Sequence, residues 1–200
     1  MKKTLSIILS MLLSVLIFTG ISIVFAADQG DQTAGGKKYT AYNMWYEEGK
    51  QSAMWTINYK TGIIIPAGTE VSDIRVSKRA VSFVTVKDHA KYTANFNIKF
   101  HPGKTTEDYA KMMFSEKDFS QLTQGMSQTE IEGINEGTIK VGMSKKAVIV
   151  AYGYPPEHKT PDMNSKVWLY WMNRFKSKAI NFDDSGKTIK PEETKSSDNL

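Results

Sequence analysis

The chain contains no cysteine. That excludes disulfide staples, thiolate nucleophiles, cysteine-held zinc, iron–sulfur clusters and a thioether lipid anchor. Histidine is scarce as well. His89, His101 and His158 are the only three, with no H-E-x-x-H or paired-His spacing, so no metal site is expected, and each is expected on a surface loop. No Gly-x-Ser-x-Gly elbow occurs. The adjacent carboxylates Glu47-Glu48 and Asp183-Asp184 would point to opposite faces of a strand, so neither pair is a natural acid–base dyad. No catalytic set, cofactor loop or metal cluster is therefore expected. There is no lysine/arginine block either, and the net charge of +5 falls to +3 once Lys2 and Lys3 are set aside. Nucleic acid is not an expected partner.

Beyond residue 27 there is no long hydrophobic run; before it there is one. Lys2 and Lys3 precede an uncharged stretch from Thr4 to Ala27, and Val24-Phe25-Ala26 ends in small or branched residues. Residues 1–26 read as a signal peptide cut after Ala26. An uncleaved anchor is the alternative, because 24 residues at about 1.5 Å each can span a bilayer. Either way the remainder is expected to be exported, without a lipid anchor, to the periplasm or cell envelope, with peripheral membrane association open to it. Residues 27–38 are polar and glycine-rich, a flexible linker, and residues 187–200 read as a disordered tail.

Residues 39–101 predict a β lobe. Tyr39–Tyr46, Ala53–Tyr59, Ile63–Ile65, a strand from Val71, Val81–Val86 and Tyr92–Phe100 are β-branched or aromatic runs separated by glycine or charged turns. Their spacing suits a small antiparallel barrel or sandwich. Residues 103–186 predict helices followed by strands. Thr105 with Glu107 and Asp108 opens one helix, and Ser127-Gln128-Thr129-Glu130 is a capping box stopped at Gly137. Ser144 and Gly153 bracket a third helix, with Pro155 and Pro156 beyond it. Val167–Trp171 and Lys178–Phe182 are two strands joined near Asn173–Ser177. The fold class is α+β: a small antiparallel β-barrel or sandwich lobe, then an α-α-β-β lobe.

Gly142-Met143-Ser144, Val148, Gly153-Tyr154-Pro155, Trp168-Leu169-Tyr170, Asn181-Phe182-Asp183 and Gly186-Lys187 fall in one order over residues 137–187. That quarter of the chain resembles the SmpA/OmlA (BamE-like) family. The resemblance implies two short helices packed on an antiparallel sheet, and an envelope protein that binds other proteins in outer-membrane assembly. The family's outer-membrane members carry a lipidated cysteine after the leader, which this chain lacks. Asn58–Gly62 with Ile65–Thr69 resembles the opening of a Src-homology-3-like barrel.

The aromatics carry the functional expectation. Trp168, Tyr170 and Met172 share one face of their strand; Val167, Leu169 and Trp171 share the other. One face is expected on the helices. The other either packs on the β lobe or grips a partner, since Trp and Tyr concentrate at binding hot spots. Trp168, Tyr170, Arg174 and Tyr154 are the expected contact residues of a non-enzymatic protein-binding module with an envelope protein as partner. A cell-wall glycan binder using Tyr42, Trp45, Tyr46 and Trp55 is the alternative. An inhibitor or periplasmic enzyme is the third reading.

Overall fold

A computed structural model describes residues 36–49 and 53–190. The expected signal peptide, the linker as far as residue 35 and the tail beyond residue 190 lie outside the described residues. Seven strands come first: β1 (Lys38–Thr40), β2 (Met44–Tyr46), β3 (Ala53–Trp55), β4 (Ile63–Ile65), β5 (Glu70–Ser77), β6 (Ala80–Thr85) and β7 (Lys91–Asn95). Then follow α1 (Thr106–Met113), β8 (Phe114–Ser115), α2 (Phe119–Leu122), α3 (Gln128–Glu136), α4 (Lys145–Tyr152), β9 (Val167–Trp171), β10 (Ser177–Phe182) and β11 (Thr188–Ile189). The fold is α+β.

A curled six-stranded sheet runs in the order β3-β7-β6-β5-β1-β8. Its centre is the antiparallel β5–β6–β7 meander, where strict alternation turns Val81, Phe83 and Thr85 inward from β6. At one edge β3 joins β7 in parallel, pairing Trp55 with Asn95. β2 and β4 form a separate antiparallel pair, with Trp45 opposite Ile64. The third sheet is β11-β10-β9.

Two hydrophobic cores result. Phe83, Tyr92, Val81, Met54 and Met44 pack with Tyr109 and Met113 of α1 in the first. Trp168, Tyr170, Ile180 and Phe182 pack against Val148, Ala151 and Tyr152 of α4 and Ile134 of α3 in the second. Adjacent residues of β2 serve both: Met44 enters the first core and Trp45 the second. Full burial of one such side chain contributes about 1.5–3 kcal/mol.

The helix boundaries follow their caps. Thr105 and Asp108 make a reciprocal capping box at α1, and Ser127 and Glu130 make one at α3. Gly137 ends α3 at φ 61°, where an added Cβ would meet Ile64 Cδ1 at 2.5 Å. Ser144 caps α4, and the Gly153 N–H closes it on the Ile149 carbonyl at 2.6 Å.

Several runs end earlier or later than the sequence implies. The strand of Ala53–Tyr59 stops at Trp55, because the Asn58 N–H turns back to the Trp55 carbonyl at 2.8 Å. The run from Tyr92 stops at Asn95, after which Asn97 accepts from the Lys99 N–H and its carbonyl from the Phe100 N–H. The linker's last residue already starts β1. The first residues of the expected disordered tail are ordered: Thr188 is buried, donates through Oγ1 to the Lys140 carbonyl and accepts from the Met143 N–H. A hydroxyl with two backbone partners fixes a segment that hydrophobicity alone would leave free.

Glu130 is a heavily engaged carboxylate. It accepts from the N–H groups of Ser127 and Ser144 at 2.8 Å each, and from the Ser127 hydroxyl and Lys187 Nζ. Burial pushes its pKa upward, but the bonds from Ser144 and Ser127 outweigh this and hold it at about 2. A depressed carboxyl contributes stability above the unfolded value near 4.5 and loses it as pH falls toward 2. Urea unfolding is expected to place Glu130→Gln roughly 2–3 kcal/mol below the parent at pH 7, with the gap closing to below about 1.5 kcal/mol at pH 3. A gap independent of pH would contradict the assignment.

Candidate functional site

The segment from Thr56 to Gly62 leaves the end of β3 and crosses to β4, and two polar side chains and one glycine fix its path. Asn58 takes a left-handed conformation, φ 52°, which Asn tolerates better than most residues. Its buried amide oxygen accepts from the Trp45 N–H at 3.0 Å, and its amide nitrogen donates to the carbonyls of Asn43 and Tyr152 at 2.9 and 3.0 Å. Gly62, at φ 92°, passes so close to β2 that a Cβ would sit 2.2 Å from the Tyr46 carbonyl oxygen. Between them, Lys60 folds its ammonium inward to donate to the Asn58 and Tyr152 carbonyls, at 2.5 Å each.

Lys60 Nζ also lies over three rings, Trp45 at 4.5 Å, Tyr152 at 5.3 Å and Tyr170 at 5.6 Å. Its surroundings are carbonyls and ring faces rather than a carboxylate. Burial therefore lowers its pKa well below the usual lysine range. The amine thus packs against the faces of Trp45 and Tyr170 together.

In front of this scaffold lies a cleft of about 270 Å³, lined by Trp45, Glu47, Met54, Trp55, Tyr59, Thr61 and Asn95. The volume is close to the ~300 Å³ at which small-molecule pockets begin. Trp55 is 46% exposed, Tyr59 is half-buried and Trp45 is 6% exposed. The lining is thus three aromatic rings with a carboxylate, a hydroxyl and an amide among them. The Asn95 amide donates to the Met54 carbonyl at 3.3 Å, which orients it at the cleft wall. Burial raises the Tyr59 pKa, and the nearby Arg174 guanidinium opposes that shift.

The expected contact residues divide. Trp168 and Tyr170 are each 1% exposed, so they are core residues and not a docking surface. Trp168 meets Phe182 edge-on at 4.8 Å, and the Tyr170 hydroxyl donates to the Gly153 carbonyl at 2.9 Å. The reason is β9's position over α4: the helix-facing side of the strand takes both rings. Tyr154 is half-buried, edge-on to Tyr42 at 6.3 Å. Arg174 alone of the four is exposed, with its guanidinium carbon 4.5 Å from the Phe175 ring centroid. Of the glycan-binder residues, Tyr42 is buried, Tyr46 packs edge-on to Tyr92 at the border of the first core, and Trp45 and Trp55 reach the cleft.

The histidines also divide. His89 is exposed in a turn and His158 is half-buried under Trp171, as loop residues can be, but His101 is 1% exposed. The expectation of a surface His101 is corrected by its partners. Nδ1 lies 2.7 Å from Glu157 Oε2, Nε2 lies 2.9 Å from Thr56 Oγ1, and the ring is stacked on Phe96 and tilted against Tyr109. Burial pushes the Glu157 carboxyl up, but His101, its own backbone and Lys104 bring it net below the usual value. It is therefore ionised at neutral pH and accepts from Nδ1–H. Carboxylate, imidazole and hydroxyl stand in the order of a nucleophilic triad. Thr56 is 3% exposed, however, and the void beside it holds only about 10 Å³ among Tyr42, Met44, Met54 and Met113. No acyl group can reach that hydroxyl. The trio ties the 101–103 turn and the loop carrying Glu157 to the end of β3. No group of three or more His, Asp or Glu among the described residues could hold a metal ion.

The sequence reading missed the cleft because its lining comes from β2, β3, β7 and the 59–61 turn at once. The one local signal was the density of aromatics between residues 39 and 59. Comparison of the chain with protein families, with curated proteins and with solved structures finds no match.

Lys60 makes the scaffold testable. A lysine whose folded pKa is lowered leaves the unfolded chain holding more protons, so stability rises with pH between that lowered value and 10.5. Chemical denaturation from pH 7 to 10 is expected to show this rise in the parent and a flatter profile in Lys60→Met, with the variant within about 1 kcal/mol of the parent or above it at pH 7. A steeper rise in the variant would refute burial as the dominant influence on the amine.

Proposed function

We propose that the protein is an exported, non-enzymatic binding module of the cell envelope whose aromatic cleft holds a carbohydrate chain. The observation that carries this reading is Trp55, a large ring left 46% exposed in a concave wall beside Trp45 and Tyr59. Leaving about half of such a ring in water forgoes on the order of 1 kcal/mol of burial. A pyranose presents one face of C–H groups and a rim of hydroxyls. The C–H face suits an indole or phenol plane, and the rim suits the Thr61 hydroxyl and the Asn95 amide, which stand beside the rings. The exported location rests on the leader, and the cell wall is the carbohydrate it would meet there.

A second reading keeps an envelope protein as partner, through the tip of the β9–β10 hairpin. Phe175 is 80% exposed there and stacked on Arg174. The run of α3, α4, β9 and β10 supports kinship with SmpA/OmlA-like proteins, for which docking in outer-membrane assembly is the implied role. The glycan reading is favoured because the two aromatic anchors of the docking face, Trp168 and Tyr170, are inside the core.

Trp55→Ala distinguishes the two. Pull-down on isolated peptidoglycan and tryptophan-fluorescence titration with soluble oligosaccharides are expected to show at least tenfold weaker binding, with stability within roughly 1 kcal/mol of the parent, since the ring is half in water. Unchanged glycan binding in that variant would remove the cleft from consideration. Loss of an envelope-protein crosslink in Phe175→Ser, with no glycan bound by either form, would favour the hairpin tip.

A further inference from the structure

Trp55 and Asn95 stand side by side in the cleft. β3 and β7 pair in parallel with these two residues in register, so their side chains leave the sheet on one face, from backbones about 5 Å apart. The Asn95 backbone is fixed, since its carbonyl accepts from the Thr56 N–H at 3.0 Å and from the Thr56 hydroxyl at 3.3 Å. Its side chain has one way round. A carbonyl only accepts, so the end of the amide that faces the Met54 carbonyl at 3.3 Å is the nitrogen. The amide oxygen is left over, and no described residue donates to it. Trp45 is 6% exposed yet lines the same cleft, so part of the wall is an indole almost sealed from water. Thr61 adds an exposed hydroxyl, its place set between the inward-turned Lys60 and the closely packed Gly62.

We infer that the cleft selects an acetamido sugar: the pyranose face stacks on Trp55, the Asn95 amide oxygen accepts from the acetamido N–H, and Trp45 covers the acetyl methyl. An acetamido group presents one donor, one acceptor and one methyl close together. The Asn95 oxygen takes the donor, the Thr61 hydroxyl gives to the acceptor, and the indole takes the methyl. A plain hydroxyl at the same ring carbon still reaches Asn95, but it leaves the Trp45 face in water. The Asn95 oxygen is aimed before any ligand arrives, so little side-chain freedom is lost on binding. Selection of this kind rests on the carbohydrate reading of the cleft and adds the class of sugar.

Three β-linked tetramers test it on the exported protein: one of glucose, one of N-acetylglucosamine, and a peptide-free one alternating N-acetylglucosamine with N-acetylmuramate. The first two differ only by hydroxyl against acetamido at one carbon of each ring. Fluorescence titration is expected to give about tenfold tighter binding of the N-acetylglucosamine chain than of the glucose chain. Whichever acetamido chain binds tighter names the source, a muramate-bearing wall glycan or a chitin-type chain. Asn95→Ala is expected to weaken binding of the acetamido chain about tenfold and of the glucose chain less than about threefold, because a hydroxyl turns to water where an amide N–H held against the wall cannot. Thr61→Val, at an exposed position, is expected to narrow the preference about threefold, and it carries the test if Asn95→Ala does not fold. Equal binding of the glucose and N-acetylglucosamine chains, tighter binding of glucose, or a preference unchanged in both variants overturns the inference and leaves the carbohydrate reading standing. No binding of any of the three overturns both.

Discussion

The side-chain amide of Asn58 is the constraint on which the rest of this architecture depends. One buried group with a 3% exposed side chain fixes the Trp45 backbone of β2, the Asn43 carbonyl and the Tyr152 carbonyl at the end of α4. Asn43 extends the same tie, donating to the Ile134 carbonyl at 2.6 Å and accepting from the Ala67 N–H at 2.8 Å. Two neutral amides thus join both helices of the second core to the strand pair that borders the first. Buried amides are costly unless bonded, and each of these bonds through both its oxygen and its nitrogen. Gly153 completes the fit. A Cβ there would stand 2.8 Å from the Tyr42 ring and 3.1 Å from Asn58 Nδ2. The helix stop and the amide hub therefore occupy one space, and neither could be placed without the other.

Much of the second half was legible because its signals are local. Ser127 and Glu130, Ser144 and Gly153 each act on backbone groups within a few residues, and a cap has the same chemistry wherever its helix lies. Alternation in β9 was legible too: Trp168 and Tyr170 share one face, and that face is the one on the helices. Nothing in the alternation told whether the rings would be sealed, since a strand with apolar residues on both faces reads the same in either state. His101 escaped notice for a related reason. His-Pro-Gly is turn chemistry, and it is a turn, but Glu157 reaches it from 56 residues away and Thr56 from 45. Long-range pairing leaves no mark in the local sequence. Lys60 is the clearest case. Asn-Tyr-Lys-Thr-Gly reads as a solvated turn, and only the meeting of Trp45, Tyr152 and Tyr170 makes its ammonium a filling for an aromatic cage.

The His101 trio and the Lys60 cage do similar work on the turn that follows β3. One anchors Thr56 through an imidazole backed by a carboxylate; the other anchors the carbonyl of Asn58 through an ammonium backed by rings. Tyr109 adds a bond from its hydroxyl to the Thr56 carbonyl. A short strand of three residues at a sheet edge would fray on propensity alone. Here the chain just beyond it is held by side chains from α1, from the turn after residue 100 and from the loop after α4. Rigidity of that kind is what a binding wall requires, because ordering a loop during binding subtracts directly from affinity.

Trp55 and Trp168 show how the same residue type comes to differ in role. Each lies in a short apolar strand. Trp168 faces α4 and is covered by Phe182 and the Lys145 ammonium, at the expense of an indole N–H left without a partner. Trp55 ends its strand at the edge of the larger sheet, where the chain turns away through Thr56 and leaves one side of the ring uncovered. Its neighbours on that side are the rings and polar groups of the cleft rather than another layer of core. Burial of Trp168 is an outcome of packing that any α-over-β unit would seek. Exposure of Trp55 is not, because the chain braces the segment beside it with two polar networks and still leaves the ring open to water.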